Sequence, residues 1–502
     1  MKIWLTLLLI MLVLVGCIEQ PTIQTTPAAP NVFFVATTGR DSNPGTQTEP
    51  WLTIQKAANT MVAGDTVFVT AGDYSTQRVK ITKSGVSGSP ITYQVQGQVV
   101  MKGFIILANY ITINGFEIAN TNYRRWDLQT SAGIYIKGAH NVVENNYIHD
   151  ASLEGIYLFG TTEEGATITQ DNIVKNNRLY HNEMVGIEVN GRNNLIEGNE
   201  VWRTIQCLPS LTAVEDIARD NKGTKCPYYL AVSGLDGDGM RFFGQGHIFR
   251  GNNIHGLILD DTINGINVNP TPHIDCFQTW SSGNIEKAEN ITFEQNYCEN
   301  LNLGMYAFMI DGGADHIYIR NNIINAYGGI NANGVGRADY LYVYNNTWID
   351  NLAYGPLGHP GAIVIAGIHA FIENNIFYDQ AEYTVIVLGD TTNTLVDYNL
   401  AYNSDGTKPN CVKWGNFDTC QSNSYHELWN TNPQFVNLTS GDYHLKSTSP
   451  AIDAGYNLGT LVINDMDGIS RPQGPGYDIG AYEYNNSIST PTFITISTPT
   501  GT

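Results

Sequence analysis

Carboxylates recur at one point of a repeating sequence. Asp236-Gly-Asp238-Gly stands directly ahead of Met240-Arg241, His273-Ile-Asp275 stands ahead of Phe277-Gln278, and Glu188 occupies the comparable stretch before them. If the fold brings Glu188, Asp238 and Asp275 together, they cannot all stay ionised and unpaired, so a Ca²⁺ ion, Arg241 or a raised pKa must compensate. Glu188, Asp236, Asp238 and Asp275 are therefore the candidate ligands of a hard cation. Asp238 and Asp275 could divide acid and base roles, and Arg241 is the basic group among them. The competing reading is a turn, because Asp and Gly are the commonest turn residues. His273, in Asn-Pro-Thr-Pro-His, sits where a loop would enter the site and is a catalytic or substrate-binding candidate; Asp260-Asp261 on the same insertion is a further one. His247 is read instead as a corner residue, because it opens an Asn-ended repeat, a position also assigned to His140 and His316. There is no CxxC or HExxH pattern, so zinc has no support.

These residues need an element that repeats. Short β-branched runs end at Asn146, Asn177, Asn199, Asn253, Asn296, Asn322, Asn346, Asn375 and Asn399, with spacings from 22 to 54 residues. A base period in the low twenties with loop insertions predicts a solenoid, since a coil of three short strands cannot bury its own face until coils stack. Asn suits the corner: it tolerates left-handed backbone, and its amide can bond the equivalent amide one coil away. A second strand class, GIYIK, GIYLF, GIEVN, GMRFF and CFQTW, puts Ile134, Ile156, Ile187, Met240 and Phe277 inward by alternation. Tyr135, Tyr157, Glu188, Arg241 and Gln278 then face outward, followed two residues on by Lys137, Phe159, Asn190, Phe243 and Trp280. Rungs about 4.7 to 4.9 Å apart would line up aromatic platforms among polar groups, the surface expected for a chain of sugar rings. Tyr157, Asn190, Phe243, Gln278 and Trp280 are the substrate-binding candidates. The alternative is a ladder that merely stabilises the sheet. The two largest insertions fall beside the Arg241 and Gln278 rungs, where long loops are usually functional.

Composition narrows the class. With 502 residues, 42% hydrophobic, only 15% charged and 50 glycines, the chain is neither disordered, collagenous, coiled-coil nor a polytopic membrane protein. A net charge of −21 argues against nucleic acid as a partner and requires a cation or local basic groups if the partner is an anionic polymer. Met1-Lys2 and the apolar run to Gly16 read as a leader, and Leu14-Val15-Gly16-Cys17 looks like a bacterial lipobox. Cleavage before Cys17 and lipidation of its thiol would tether the chain outside a membrane. Residues 17–31 form a Pro/Thr linker, and 486–502 a Thr-rich tail read as disordered. For an exported chain, neighbourhood pairs Cys207 with Cys226 and Cys411 with Cys420, whereas Cys276 and Cys298 could be a third pair or two buried thiols.

On the coils, the opening FFVATTGRDSNPGTQTEPWLTIQKAANTMVAGDTVFVTAGDY and the ending NPQFVNLTSGDYHLKSTSPAIDAG, DMDGISRPQG and DIGAYEY, the chain resembles the right-handed parallel β-helix of the pectin-lyase-like superfamily. The resemblance implies an all-β fold. Residues 32–100 would hold the N-terminal cap, with its helix TIQKAAN, and the first coils. The β-helix would span 101–405, a disulfide-bearing connection 406–430, and a small C-terminal β domain 431–485 of a kind found on bacterial surface proteins.

Three functions compete on this fold, which does not choose among them. A polysaccharide lyase would neutralise a uronate carboxylate with Ca²⁺ on Glu188, Asp238 and Asp275 while Arg241 abstracts the α-proton, as the superfamily's use of Ca²⁺ and a basic side chain implies. A glycoside hydrolase would use Asp238 and Asp275 as acid and base. A lectin or adhesin would only bind. Metal delivery lacks the Met/His cluster that soft metal needs. An Arg among acids favours the lyase, expected to act as a lipid-anchored monomer on polysaccharide.

Overall fold

The computed structural model describes residues 30–485 apart from 122–127, 161–168, 206–236, 258–273, 282–285, 301–305, 333–337, 351–360, 367–368, 381–382, 389–392, 410–411 and 415–425. Cys17, Cys207, Cys226, Cys411, Cys420, Asp236, Asp260, Asp261 and His273 lie outside the described residues, as do the leader and tail.

Inward side chains of successive strands stack in columns. Ile134, Ile156, Ile187, Met240 and Phe277, the five placed inward by alternation, are all fully buried, and the column continues through Phe308. Along the coils each strand pairs in parallel with the one three further along the chain, so every coil contributes to three sheets. Sheet one holds Ile134–Ile136, Glu154–Leu158, Val185–Val189, Asp238–Phe242, Phe277–Thr279 and Tyr306–Ile310, among others. Sheet two includes Val142–Glu144 and Ile248–Arg250, and sheet three includes Tyr147–His149 and Asn253–His255. This is a parallel β-helix. Phe249, Phe277, Phe293 and Phe308 fill its interior with ring centroids 4.8 to 5.9 Å apart. Burying each such ring contributes about 1.5–3 kcal/mol.

The corner between sheets two and three explains the asparagine doublets. Asn145, Asn176, Asn321, Asn345 and Asn374 adopt φ between 53° and 60°, and Gly198 and Gly251 take the same place with φ of 63° and 61°. The following residue forms the ladder: the amide of Asn146 donates to Asn177 Oδ1 at 2.9 Å, and the chain of bonds runs on through Asn199, Asn252, Asn296, Asn322, Asn346, Asn375 and Asn399. Left-handed backbone and amide stacking are thus divided between two neighbours. The repeat predicted to end at Asn253 is joined through Asn252, because Asn253 already begins a strand. Glu427 closes the ladder by accepting from both Asn399 nitrogens.

The helix Ile54–Thr60 is capped by the Thr53 hydroxyl and lays Ile54, Ala57 and Ala58 on the end of the core. The C-terminal segment, expected as a capping domain, lies along the side of the solenoid. Phe435, Tyr443, Leu445, Ala451 and Ile479 pack on the outward residues Ile323, Ile349, Ile376, Tyr378 and Leu400 of sheet three. Arg471, wholly buried, pairs with Glu483 at 2.8 Å and reaches Asn321 Oδ1 at 3.1 Å, tying the segment to a coil corner.

Candidate active site

Sheet one brings the predicted outward residues into register: Tyr135 with Tyr157, Tyr157 with Glu188, Glu188 with Arg241, and Arg241 with Gln278. They do not form an open row of platforms. Tyr157, Arg241 and Gln278 are 6%, 5% and 7% exposed, and Phe243, expected to bind substrate, is 2% exposed beneath Trp280, whose ring meets it edge-on at 4.8 Å. At one-coil spacing large outward rings fold against one another, as Tyr135 and Tyr157 do at 5.8 Å. Phe159 is the exposed aromatic of this row, and Trp280 and Asn190 are half-buried.

Asp238 and Asp275 take equivalent positions in adjacent coils, and their bonding repeats. Asp238 Oδ1 accepts from the Asp275 N–H at 2.9 Å, and Asp275 Oδ1 accepts from the Tyr306 N–H at 2.8 Å. The second oxygen of each faces the residue three further along: Arg241 Nε donates to Asp238 Oδ2 at 2.7 Å, and Gln278 Nε2 to Asp275 Oδ2 at 3.4 Å. Each aspartate thus caps the next coil and holds an outward side chain. The Arg241 guanidinium also lies over the Trp280 ring, 5.0 Å from its centroid.

Sequence reasoning missed Glu154. It begins its strand as Glu154-Gly-Ile, aligned through Val185 with Asp238-Gly-Met, and that shared pattern is the signal that could have found it. Its side chain is buried, and Oε2 has no hydrogen-bond partner among the described residues. Burial, then Glu188, pushes the Glu154 carboxyl up to about 8 against the pull of Arg241, so it holds a proton at neutral pH. Burial also raises Glu188, while Arg241 and a 3.4 Å bond from Asn190 lower it and Asp238 raises it again. Tyr157 is held protonated by burial and by Glu188 and Glu154.

A calcium site does not fit what is described. Both carboxylates ahead of the rungs are engaged as above, Arg241 supplies the compensating charge, and no group of three or more His, Cys, Asp or Glu able to hold a metal ion exists among the described residues.

His247 is a corner residue, with one correction. Its Nδ1 accepts from the Asn194 N–H at 3.1 Å and Nε2 donates to the Phe243 carbonyl at 2.8 Å, so the ring replaces an asparagine in the Asn141–Asn172–Asn194 ladder. Burial pushes it down to about 4, which keeps it neutral. His140 and His316 sit one residue earlier, with φ of 59° and 54°.

Cys276 and Cys298 are bonded. Gly133, Gly155, Gly186 and Gly239 occupy the Cys276 position in earlier coils, where a Cβ would meet Ile148, Leu179, Val201 and Ile254 of sheet three. Cys298 follows Ile254 in that same column, so the disulfide crosses the coil interior directly behind the Gln278 rung.

Residues 33–194 match the family described as Pel9A-like, right handed beta helix region. Over 152 residues the chain is 24% identical to pectate disaccharide-lyase of Dickeya chrysanthemi, a match covering 30% of this chain and 19%, about a fifth, of that relative. Two solved structures align over most of both chains: pectate lyase Pel9A (16% identity, 91% of this chain, 97% of that one, TM-score 0.44) and XylC in complex with xylose (13%, 90%, 98%, TM-score 0.52). The second likeness is one of fold. The chain thus folds as a right-handed parallel β-helix, and its residues 33–194 are similar to the Pel9A-like region of that fold.

Proposed function

We propose that this chain is an exported, lipid-anchored polysaccharide lyase that cleaves a uronate-containing polymer at the Glu188, Arg241 and Gln278 rungs of sheet one. The observation that carries the reading is Arg241, a buried cation set on Asp238 at 2.7 Å and in register with Glu188. It is the basic group that these rungs of an acidic chain offer to a uronate carboxylate. A guanidinium does not give up its proton in a protein, so in this reading Arg241 serves as the clamp for the uronate carboxylate rather than as the proton acceptor first expected. Neutralising that carboxylate acidifies the α-carbon proton, which passes to Glu188, and the electron pair left behind expels the glycosidic oxygen as the double bond forms. To Tyr157, held protonated on the preceding rung, we assign the proton that the departing oxygen takes up. The buried Cys276–Cys298 bond supports folding in an oxidising, extracytoplasmic compartment, consistent with the lipobox at Cys17.

A second reading rests on the Glu154/Glu188 pair. One carboxyl holds a proton beside another, the arrangement by which a glycoside hydrolase divides acid from base. One experiment separates the two: incubation with pectate, alginate and xylan, following ultraviolet absorbance of unsaturated product and, in parallel, reducing ends, with and without chelator. Unsaturated product from a uronate polymer, lost in Arg241→Lys, is expected. Reducing ends without unsaturation would establish the hydrolase, and product from no polymer would leave only binding.

A further inference from the structure

The C-terminal segment does not seat flush on sheet three. Beside its hairpin, Phe435–Asn437 with Asp442–Leu445, lies a cavity of about 210 Å³ lined by Tyr378, Asn432, Gln434, Phe435, Leu438 and Lys446. Leu438, exposed, and the edges of the packed Tyr378 and Phe435 rings, 5.5 Å apart and each 7% exposed, form its apolar wall. Its rim is made of donors. Asn432 Oδ1 is taken by the Gln434 N–H at 2.7 Å, and Gln434 Oε1 by the Thr448 hydroxyl at 2.5 Å. Each amide is left with its NH₂ group, and Lys446, exposed, makes no ion pair among the described residues. The acids near Tyr378 are not part of the lining, and both oxygens of Asp379 accept from Ser404.

Three donor side chains beside an apolar wall select a small ligand with one apolar face and several acceptor oxygens. A carboxylate is the acceptor that Lys446 and two amides hold best. The volume admits about one sugar ring, below the range of about 300–1,000 Å³ of drug-sized sites. We propose that this cavity is a second carbohydrate subsite that takes one acidic sugar residue, its ring against Leu438 and the exposed edges of Tyr378 and Phe435 and its carboxylate toward Lys446, Gln434 and Asn432. The choice of an acidic sugar rests on the lyase reading as well as on this chemistry. The cavity belongs to sheet three and the rungs to sheet one, so the subsite would hold a different stretch of polymer from the one being cleaved.

Equilibrium dialysis of the full chain with trigalacturonate, and with xylotriose as the neutral comparison, tests the proposal. Two trigalacturonate sites are expected in the wild type. One should be weakened about tenfold or more by Lys446→Ala and by Gln434→Ala, the loss typical of a charge-assisted hydrogen bond. The other should be weakened by Arg241→Leu. Lys446 is exposed and Gln434 half-buried, and unchanged thermal unfolding checks that both variants fold. Full binding in both cavity variants would overturn the proposal, as would xylotriose competing equally for the Lys446-dependent site. Loss of the Lys446-dependent site without any Arg241-dependent one would sustain this subsite and overturn the sheet-one assignment instead.

Discussion

At the scale of single residues, chemistry and scaffold compete for the same side chains. Asp238 and Asp275 look catalytic by composition, yet one oxygen of each is committed to a backbone N–H of the next coil. Glu154, in the same column, keeps an oxygen without a partner among the described residues, and that difference makes it the titrating member. Its carboxyl rises from 4.5 to about 8 on folding, so its stabilising contribution is full below pH 4.5 and is lost as the pH climbs through about 8. Glu154→Gln should therefore flatten the fall in stability between those limits and melt above the wild type at pH 8, as thermal unfolding across the pH range would show. For the reaction, Arg241→Lys keeps the charge but loses the planar fork, and kcat/KM on a uronate polymer should fall by about 100-fold or more. An undiminished rate of unsaturated product would remove Arg241 from the site. At His247, Asn should be tolerated because it restores the ladder, whereas Ala leaves the Asn194 N–H unmet and should cost about 1–3 kcal/mol in denaturant unfolding.

At the scale of elements, the coil bearing Gln278 and the segment covering sheet three are each tied by one feature. The Cys276–Cys298 bond spans 22 residues and crosses the coil behind the rung, so reduction should destabilise that coil by roughly 3 kcal/mol. Hydrogen exchange with and without reductant would read this locally. Equal protection in both states would show that stacked neighbours alone hold the rung. Arg471 and Glu483, both fully buried, anchor the C-terminal segment, and Arg471→Ala strands a carboxylate without its partner. The expected cost is about 3–5 kcal/mol, seen as earlier proteolytic release of the segment while the β-helix stays intact. Release at the wild-type rate would place the anchor in the apolar contacts of Phe435 and Tyr443.

At the scale of the whole molecule, attachment and architecture meet at the ends of the chain. Cys17→Ser should move the protein from the detergent phase to the aqueous phase, because the proposed anchor is the lipid on that thiol. Unchanged partitioning would show another means of attachment. Period and alternation were sufficient to establish the coils, the inward column from Ile134 to Phe277 and the outward row from Tyr135 to Gln278, because in a solenoid each residue's neighbours are its own equivalents one repeat away. The cystine was also within reach of the sequence, in the Cys that follows four glycines and the Cys that follows Ile254. Other features needed the fold. How deeply the outward row is buried, which aspartate oxygen meets a backbone N–H, and where the C-terminal segment lies all depend on contacts between residues far apart in sequence. Arg471 on Asn321 and Tyr378 on Phe435 follow no repeat, and only the closed structure brings them together.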